Sequence, residues 1–245
     1  MDLEPLAMVA LAVVTWLALT FITAPYGRHQ RSGWGPMLPA KLAWPLMESP
    51  SFVGFALVLL VSGSPLEAGT VGPALLWLTH YAQRTVIYPL RMSPKAKPMP
   101  AAIAALAFGF NLFNVHLNAG WLLAHPRGAE WLLDPRFLAG AALFASGFGI
   151  NLWADAVLFR LRAPGQSGYS IPRGGLYELV SCPNYLGELL EWLGYALAAW
   201  SPAGLAFAIY TAANLVPRAR AHHRWYRETF DDYPAARRAV VPFLY

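Results

Sequence analysis

The sequence predicts an all-α polytopic membrane protein: seven transmembrane helices in a single domain over residues 1–245. Three observations predict it. The chain is 57% hydrophobic and only 13% charged, with a mean hydropathy of +0.40, whereas a soluble domain carries about 25% charge. Apolar windows of about 20 residues, the length that crosses a bilayer core, recur between Pro- and Gly-rich joints. Lys and Arg fall on alternate sides of those windows, as the positive-inside rule requires.

The first window lies at about 4–24. It starts MDLEP, acidic rather than basic, and its apolar run is too long for a secretory h-region, so it reads as a retained span. The remaining spans are predicted at about 50–66, 71–91, 100–124, 136–160, 183–200 and 202–222. The stretches GSPLEAGTVGP, SPKAKPMP, APGQSGYSIPRGG and WSPAG punctuate them. Arg28, Arg31 and Lys41 follow the first span, Arg91, Lys95 and Lys97 the third, and Arg160, Arg162 and Arg173 the fifth. Arg218, Arg220, Arg224, Arg227, Arg237 and Arg238 follow the last. The other side holds Arg127 and Arg136, offset by Glu130 and Asp134. This pattern places the N-terminus outside and the C-terminus in the cytoplasm, in a bacterial inner membrane or an endoplasmic reticulum. The net charge of +5 is then topology and headgroup attraction rather than nucleic-acid binding. The lone cysteine, Cys182, leaves no disulfide framework and no zinc site, and no metal is expected.

The intramembrane polar residues form stripes at helical spacing. The sixth span aligns Asn184, Glu188, Glu191 and Tyr195; the fifth aligns Asn151, Asp155 and Arg162; the fourth carries Asn111, Asn114 and Asn118; the third carries Tyr81, Arg84 and Tyr88. Lipid cannot satisfy such groups, so the stripes must face one another or a cavity. Asparagines can be simple interhelical glue, but three acids and an arginine on neighbouring faces exceed what glue requires. Glu191 is expected to pair with a neighbouring helix, with Arg84 as the candidate. At the cytoplasmic ends, Arg218, His222 and Tyr226 recur every four residues, and the loop after the fifth span supplies Arg162, Tyr169 and Arg173. Arginine forks, a histidine and phenols suit a phosphorylated ligand. GFGINLW at 147–153 is only a partial glycine fingerprint and lies within a helix, so any nucleotide is held by another architecture. Glu48, between Pro45 and Pro50 in LAWPLMESPSF, stands at the predicted interface before the second span.

These segments resemble the steroid 5α-reductase family (3-oxo-5α-steroid 4-dehydrogenases). The likeness runs from about residue 40 to the C-terminus, with the family's C-terminal region at about 100–245. LMESPSF, HYAQRTVIYPL, the block from GFGINLW to ALAAWS, and RARAHHRWYRETFDDYPAARRAVVPFLY carry it. The resemblance implies a seven-helix enzyme that uses NADPH to reduce the C4–C5 double bond of a 3-oxo-Δ4 steroid. It implies that Glu48 and Tyr81 bind the ketone. It implies that Lys97, Asn151, Asp155, Arg162, Tyr169, Arg173, Asn184, Glu188, Arg218, His222 and Tyr226 hold the dinucleotide. Met47, Met99 and Phe159 depart from residues common in animal members, and Met47 lies beside the ketone site.

Hydride addition to an enone puts negative charge on the carbonyl oxygen, which needs hydrogen-bond donors. Tyr81 can donate its O–H; Glu48 can donate when protonated, or orient Tyr81 when ionised. A neutral acid beside a tyrosine is also the oxyanion hole of ketosteroid isomerase. A membrane methyltransferase using S-adenosylmethionine is the alternative, since CPNYLG resembles a segment of those enzymes, though Ser181-Cys182 replaces their usual Arg-His. A retinal protein would need a lysine in the last span, but Lys41, Lys95 and Lys97 lie in loops.

Overall fold

A computed structural model describes residues 3–31, 33–93, 95–161 and 168–245. Helices occur at every predicted span. Helix α1 covers Leu3–Phe21, α2 Ala40–Val61 and α3 residues 68–91. Helix α4 covers Ala101–Ala124, α5 Pro135–Arg160, α6 Pro183–Ala199 and α7 Pro202–Thr229. Of these, α1, α2, α4 and α5 are long and apolar enough to cross a bilayer.

Two boundaries differ from expectation. Helix α2 starts at Ala40 rather than near 50, so Glu48 lies inside the helix and not in a segment before it. Pro45 and Pro50 argue against a helix there, because each lacks an N–H and crowds the preceding turn. The chain accommodates them instead. A π-helical turn occupies Pro50–Gly54, and the Ser49 hydroxyl donates at 2.9 Å to the Leu46 carbonyl, whose amide partner Pro50 removes. Helix α7 runs on to Thr229, so the Arg218–His222–Tyr226 ladder is continuous helix. A second π-helical turn, Gln83–Ile87, lies inside α3 just after Tyr81. Such turns widen the helix locally and recur at functional sites.

Helices α5 and α6 meet backbone to backbone, which small residues permit. A Cβ on Gly147 would lie 2.5 Å from the Gly187 carbonyl oxygen, and one on Gly187 would lie 2.6 Å from the Asn151 nitrogen. That approach aligns the polar stripes of the two helices. Between α2, α3, α6 and α7 sits an aromatic core of Phe55, Trp77, Tyr81, Trp192, Tyr195 and Phe207. Trp77 and Trp192 stand 5.3 Å apart edge-on, and Trp192 and Phe207 4.4 Å apart.

Two connections close the end where the basic residues gather. Met37–Leu38 pairs antiparallel with Met99–Pro100, tying the loop before α2 to the loop before α4. The C-terminal segment lies along the chain before α6: Arg238 donates to Leu179 at 2.9 Å, and Ser181 to Arg238 at 2.8 Å. Buried Arg237 donates to the Pro172 carbonyl at 3.0 Å and to Glu178 Oε2 at 3.1 Å. Gly174, at φ +89°, turns the loop so that its N–H reaches Glu178 Oε1 at 2.6 Å.

Candidate active site

The two candidate ketone-binding residues come from helices that each break pattern next to them. Glu48 is half-buried one residue before the Ser49–Pro50 junction. Its Oε2 accepts from Asn111 Nδ2 at 3.3 Å, and the same amide donates to the Met47 carbonyl at 2.7 Å. The Thr85 hydroxyl reaches the Glu48 carbonyl at 3.4 Å. Tyr81 is buried, with its ring 5.0 Å from Trp77 and 5.6 Å from Trp192. Ser51 is the polar neighbour of its phenol, and Glu48 lies within electrostatic reach of it. The structure therefore brings Glu48 and Tyr81 to one place.

A second group of polar residues lies between α3, α5 and α6. Asn184 donates to Asp155 Oδ1 at 3.2 Å, and Asn151 donates to the Asn184 carbonyl at 3.0 Å. Arg84 stands 3.8 Å from Asp155 Oδ2 and lies over the Trp44 and Tyr88 rings at 4.8 and 4.6 Å. Glu188, half-buried, is an electrostatic neighbour of Glu48, Tyr81, Arg84, Tyr185 and Arg218. It lies within electrostatic reach of both the Glu48–Tyr81 pair and Arg218 at the basic end.

That end is a chain of cations and aromatic rings. Arg218 donates to the Tyr185 hydroxyl at 3.0 Å and lies over the Tyr26 ring at 4.9 Å. His222 meets the Tyr185 hydroxyl at 3.2 Å and His29 at 3.1 Å, with the two imidazoles stacked. Arg28 donates to the Tyr226 hydroxyl at 3.1 Å and sits among the rings of Tyr169, Trp225 and Tyr226. Lys97 lies over the Tyr169 ring at 5.8 Å. Partial burial and the charges of Arg28, Arg218, Arg224 and Arg31 lower the His29 pKa to about 4, so it is neutral at pH 7. A small cleft lined by Arg28, Leu158, Leu161, Gly168, Tyr169, Ser170 and Tyr226 opens here. A separate cavity of about 250 Å³, lined by Ser64, Glu67, Thr70, Leu122 and Pro126 among others, holds none of the candidate residues. It lies where α2 ends and α3 begins, away from the basic end.

Arg173 stands apart from this chain, exposed and paired with Asp232 at 3.3 Å. Arg162 lies outside the described residues. The suggested Glu191–Arg84 pair is replaced by another: Glu191 Oε2 meets His80 Nδ1 at 2.6 Å, while Arg84 takes Asp155. Arg84 is one helical turn beyond His80, and the α5–α6 approach turns Asp155 toward it. Sequence reasoning also missed Arg28, His29, Tyr185 and His80 as site residues. Arg28 looked like a loop charge, and His29 carried no signal of its own. Tyr185 and His80 each sit next to a singled-out residue, Asn184 and Tyr81, and neither belongs to a polar stripe at helical spacing.

The profile of the 3-oxo-5-alpha-steroid 4-dehydrogenase family matches residues 97–245. The chain is 47% identical over 250 residues to the steroid 5-alpha-reductase DET2 of Gossypium hirsutum, covering 98% of this chain and 95% of the cotton protein. It is 45% identical over 240 residues to the 3-oxo-5-alpha-steroid 4-dehydrogenase 1 of Bos taurus, covering 96% and 93% of the two chains. Identity to the DET2 protein of Arabidopsis thaliana is 45%, over 94% and 91%. Likeness at this level, sustained over nearly the full length of plant and mammalian relatives, sets the reaction class as oxidoreduction of a CH–CH group. The protein belongs to the steroid 5α-reductase family, the 3-oxo-5-alpha-steroid 4-dehydrogenases.

Proposed function

We propose that this chain is a multi-pass membrane reductase that uses NADPH to saturate the C4–C5 bond of a 3-oxo-Δ4 steroid or related enone lipid. The observation that carries this reading is the position of Glu188. It is an electrostatic neighbour of both Glu48 and Tyr81 on one side and of Arg218 on the other. One ligand reaching from the Glu48–Tyr81 pair to Arg218 would pass a carboxamide-binding acid and end at phosphate-binding cations.

The residues fit a dinucleotide. Arg28 Nη1 is buried without a hydrogen-bond partner among the described residues. A buried guanidinium nitrogen left open, amid aromatic faces, suits a phosphate next to an aromatic base. Arg218, His222, Tyr226, Tyr169, Arg28 and Lys97 would hold that end. Asn184, Glu188, Asp155 and Asn151 would hold the nicotinamide end, with a carboxylate accepting from the carboxamide N–H2. Arg162 and Arg173 belong to the same proposal. Bound there, NADPH would supply the hydride for C5, and a proton added at C4 would complete the saturation.

The chain's own residues prepare the acceptor. Tyr81 donates its O–H to the ketone oxygen, where charge grows as the enolate forms. Glu48 Oε2 is occupied as an acceptor by Asn111. Its Oε1, protonated, is the second donor to the ketone. The aromatic core around Tyr81 excludes water from the site, which strengthens both hydrogen bonds. A lipid substrate enters sideways from the bilayer and the dinucleotide from the basic end. That arrangement rests on seven spans with the N-terminus outside and the C-terminus cytoplasmic.

Thermal unfolding of the detergent-purified protein tests the cofactor assignment. NADPH at one hundred times its Kd stabilises by about 2.7 kcal/mol, so the midpoint rises with NADPH and stays put with S-adenosylmethionine. A rise with S-adenosylmethionine alone would support the methyltransferase alternative.

A further inference from the structure

His80 and Glu191 form a contact that the proposed chemistry leaves unused. Nδ1 of His80 lies 2.6 Å from Glu191 Oε2, and the two side chains are 3% and 0% exposed. One comes from α3 and the other from α6. A pair this short and this dry holds a proton between its two atoms, whichever partner carries it formally. Glu191 Oε1 has no hydrogen-bond partner among the described residues, although it is buried. A carboxylate kept only to clamp two helices would have both oxygens satisfied.

The surroundings indicate what the pair acts on. His80 precedes Tyr81, and its ring meets the Tyr81 ring edge-on at 5.0 Å and 78°. It also meets Trp192, the residue after Glu191, at 4.6 Å. Trp192 and Trp77 in turn flank Tyr81. Trp77 Nε1 donates at 2.7 Å to the carbonyl of Ser51, the phenol's polar neighbour. Tyr81 is thus set among aromatic rings with the His80 imidazole as one wall, and His80 is held by Glu191. Glu188, Arg84 and Glu48 are electrostatic neighbours of His80.

We propose that His80 and Glu191 are positioning residues of the ketone site. Glu191 holds the His80 ring and a shared proton, and His80 in turn fixes the direction and donor strength of the Tyr81 hydroxyl. This rests on the enone-reductase reading above. The pair itself need not touch the steroid.

The test uses the full-length protein with Glu191→Gln, His80→Gln and the double variant. Read out are steroid-dependent NADPH oxidation, NADPH affinity, the unfolding midpoint, and the C=O stretch of a bound 3-oxo-Δ4 steroid by isotope-edited infrared difference spectroscopy. The single variants should lower kcat about tenfold or more, with NADPH affinity and steroid KM within about twofold of wild type; removing one part of an oxyanion site acts mainly on kcat. Breaking the pair should lower the midpoint in each single variant, and the double variant should recover it. In the double variant kcat stays low, and the carbonyl stretch moves toward its value in free steroid. Recovery of kcat together with the midpoint, or an unmoved carbonyl stretch, makes the pair a helix clamp and overturns the proposal. A wild-type protein that binds NADPH but oxidises none with any steroid overturns the reductase reading itself, and this proposal with it.

Discussion

Asn111 on α4 holds Glu48 on α2 by two bonds from one amide, at 3.3 Å to Oε2 and 2.7 Å to the Met47 carbonyl. The amide therefore fixes both the carboxyl and the backbone turn that carries it. Asn111 looked like one member of an asparagine stripe, and the other two members, Asn114 and Asn118, bond to each other within the helix. Replacing Asn111 with Leu should leave Glu48 Oε2 unpaired and lower kcat ~10-fold, the upper end of losing a hydrogen bond between neutral groups. NADPH affinity should hold. Steady-state kinetics with dinucleotide titration separates the two.

Glu48 and Tyr81 are the two proposed donors to the ketone. Glu48→Gln and Tyr81→Phe should each lower kcat by ~10²-fold or more, the scale of one oxyanion donor. Steroid-dependent NADPH oxidation measures it, and wild-type rates in both variants would remove these residues from the chemistry.

Arg28 is buried among aromatic rings with Nη1 unpaired. Arg28→Leu should weaken NADPH binding roughly 10- to 100-fold, the worth of one or two charge-assisted hydrogen bonds, and leave the rate at saturating NADPH close to wild type. Fluorescence titration of the reduced dinucleotide reads this directly.

Gly147 and Gly187 allow α5 and α6 to touch. A methyl at Gly147 would overlap the Gly187 carbonyl and the Glu191 nitrogen, at 2.5 and 2.6 Å. Gly147→Val should destabilise the fold by ~1–3 kcal/mol through overpacking and part Asn151 from Asn184. A lowered unfolding midpoint together with weaker NADPH binding is the expected result.

His29 gives a pH dependence. Its pKa falls to about 4 in the fold, against an ordinary value of 6.5, so the unfolded chain takes up its proton first as pH drops. Stability from this group is full above pH 6.5 and is lost as pH falls from about 6.5 to 4. His29→Gln should flatten that limb of the midpoint-against-pH curve.

The helices and the polar stripes were legible because both follow from periodicity and from the cost of bare polar groups in lipid. The position of Glu48 was not. Pro45 and Pro50 signal a break, and only the π-helical turn and the Ser49 side-chain bond make a continuous helix possible there. The partner of Glu191 was also hidden. His80 has no stripe of its own, and the choice between His80 and Arg84 depends on the rotation of α3 about its axis, which the aromatic core around Trp77 sets. Arg28 was counted as a topology charge, and His29 was not singled out, because a loop sequence carries no register against α7.

The most direct measurement is NADPH oxidation by the purified protein with a panel of 3-oxo-Δ4 steroids, with product configuration at C5. One NADPH consumed per steroid, a 5α product, and a rate lower by ~10²-fold or more in Glu48→Gln are expected. Turnover that persists undiminished in that variant, or a wild-type protein that reduces no enone while binding NADPH, would contradict it.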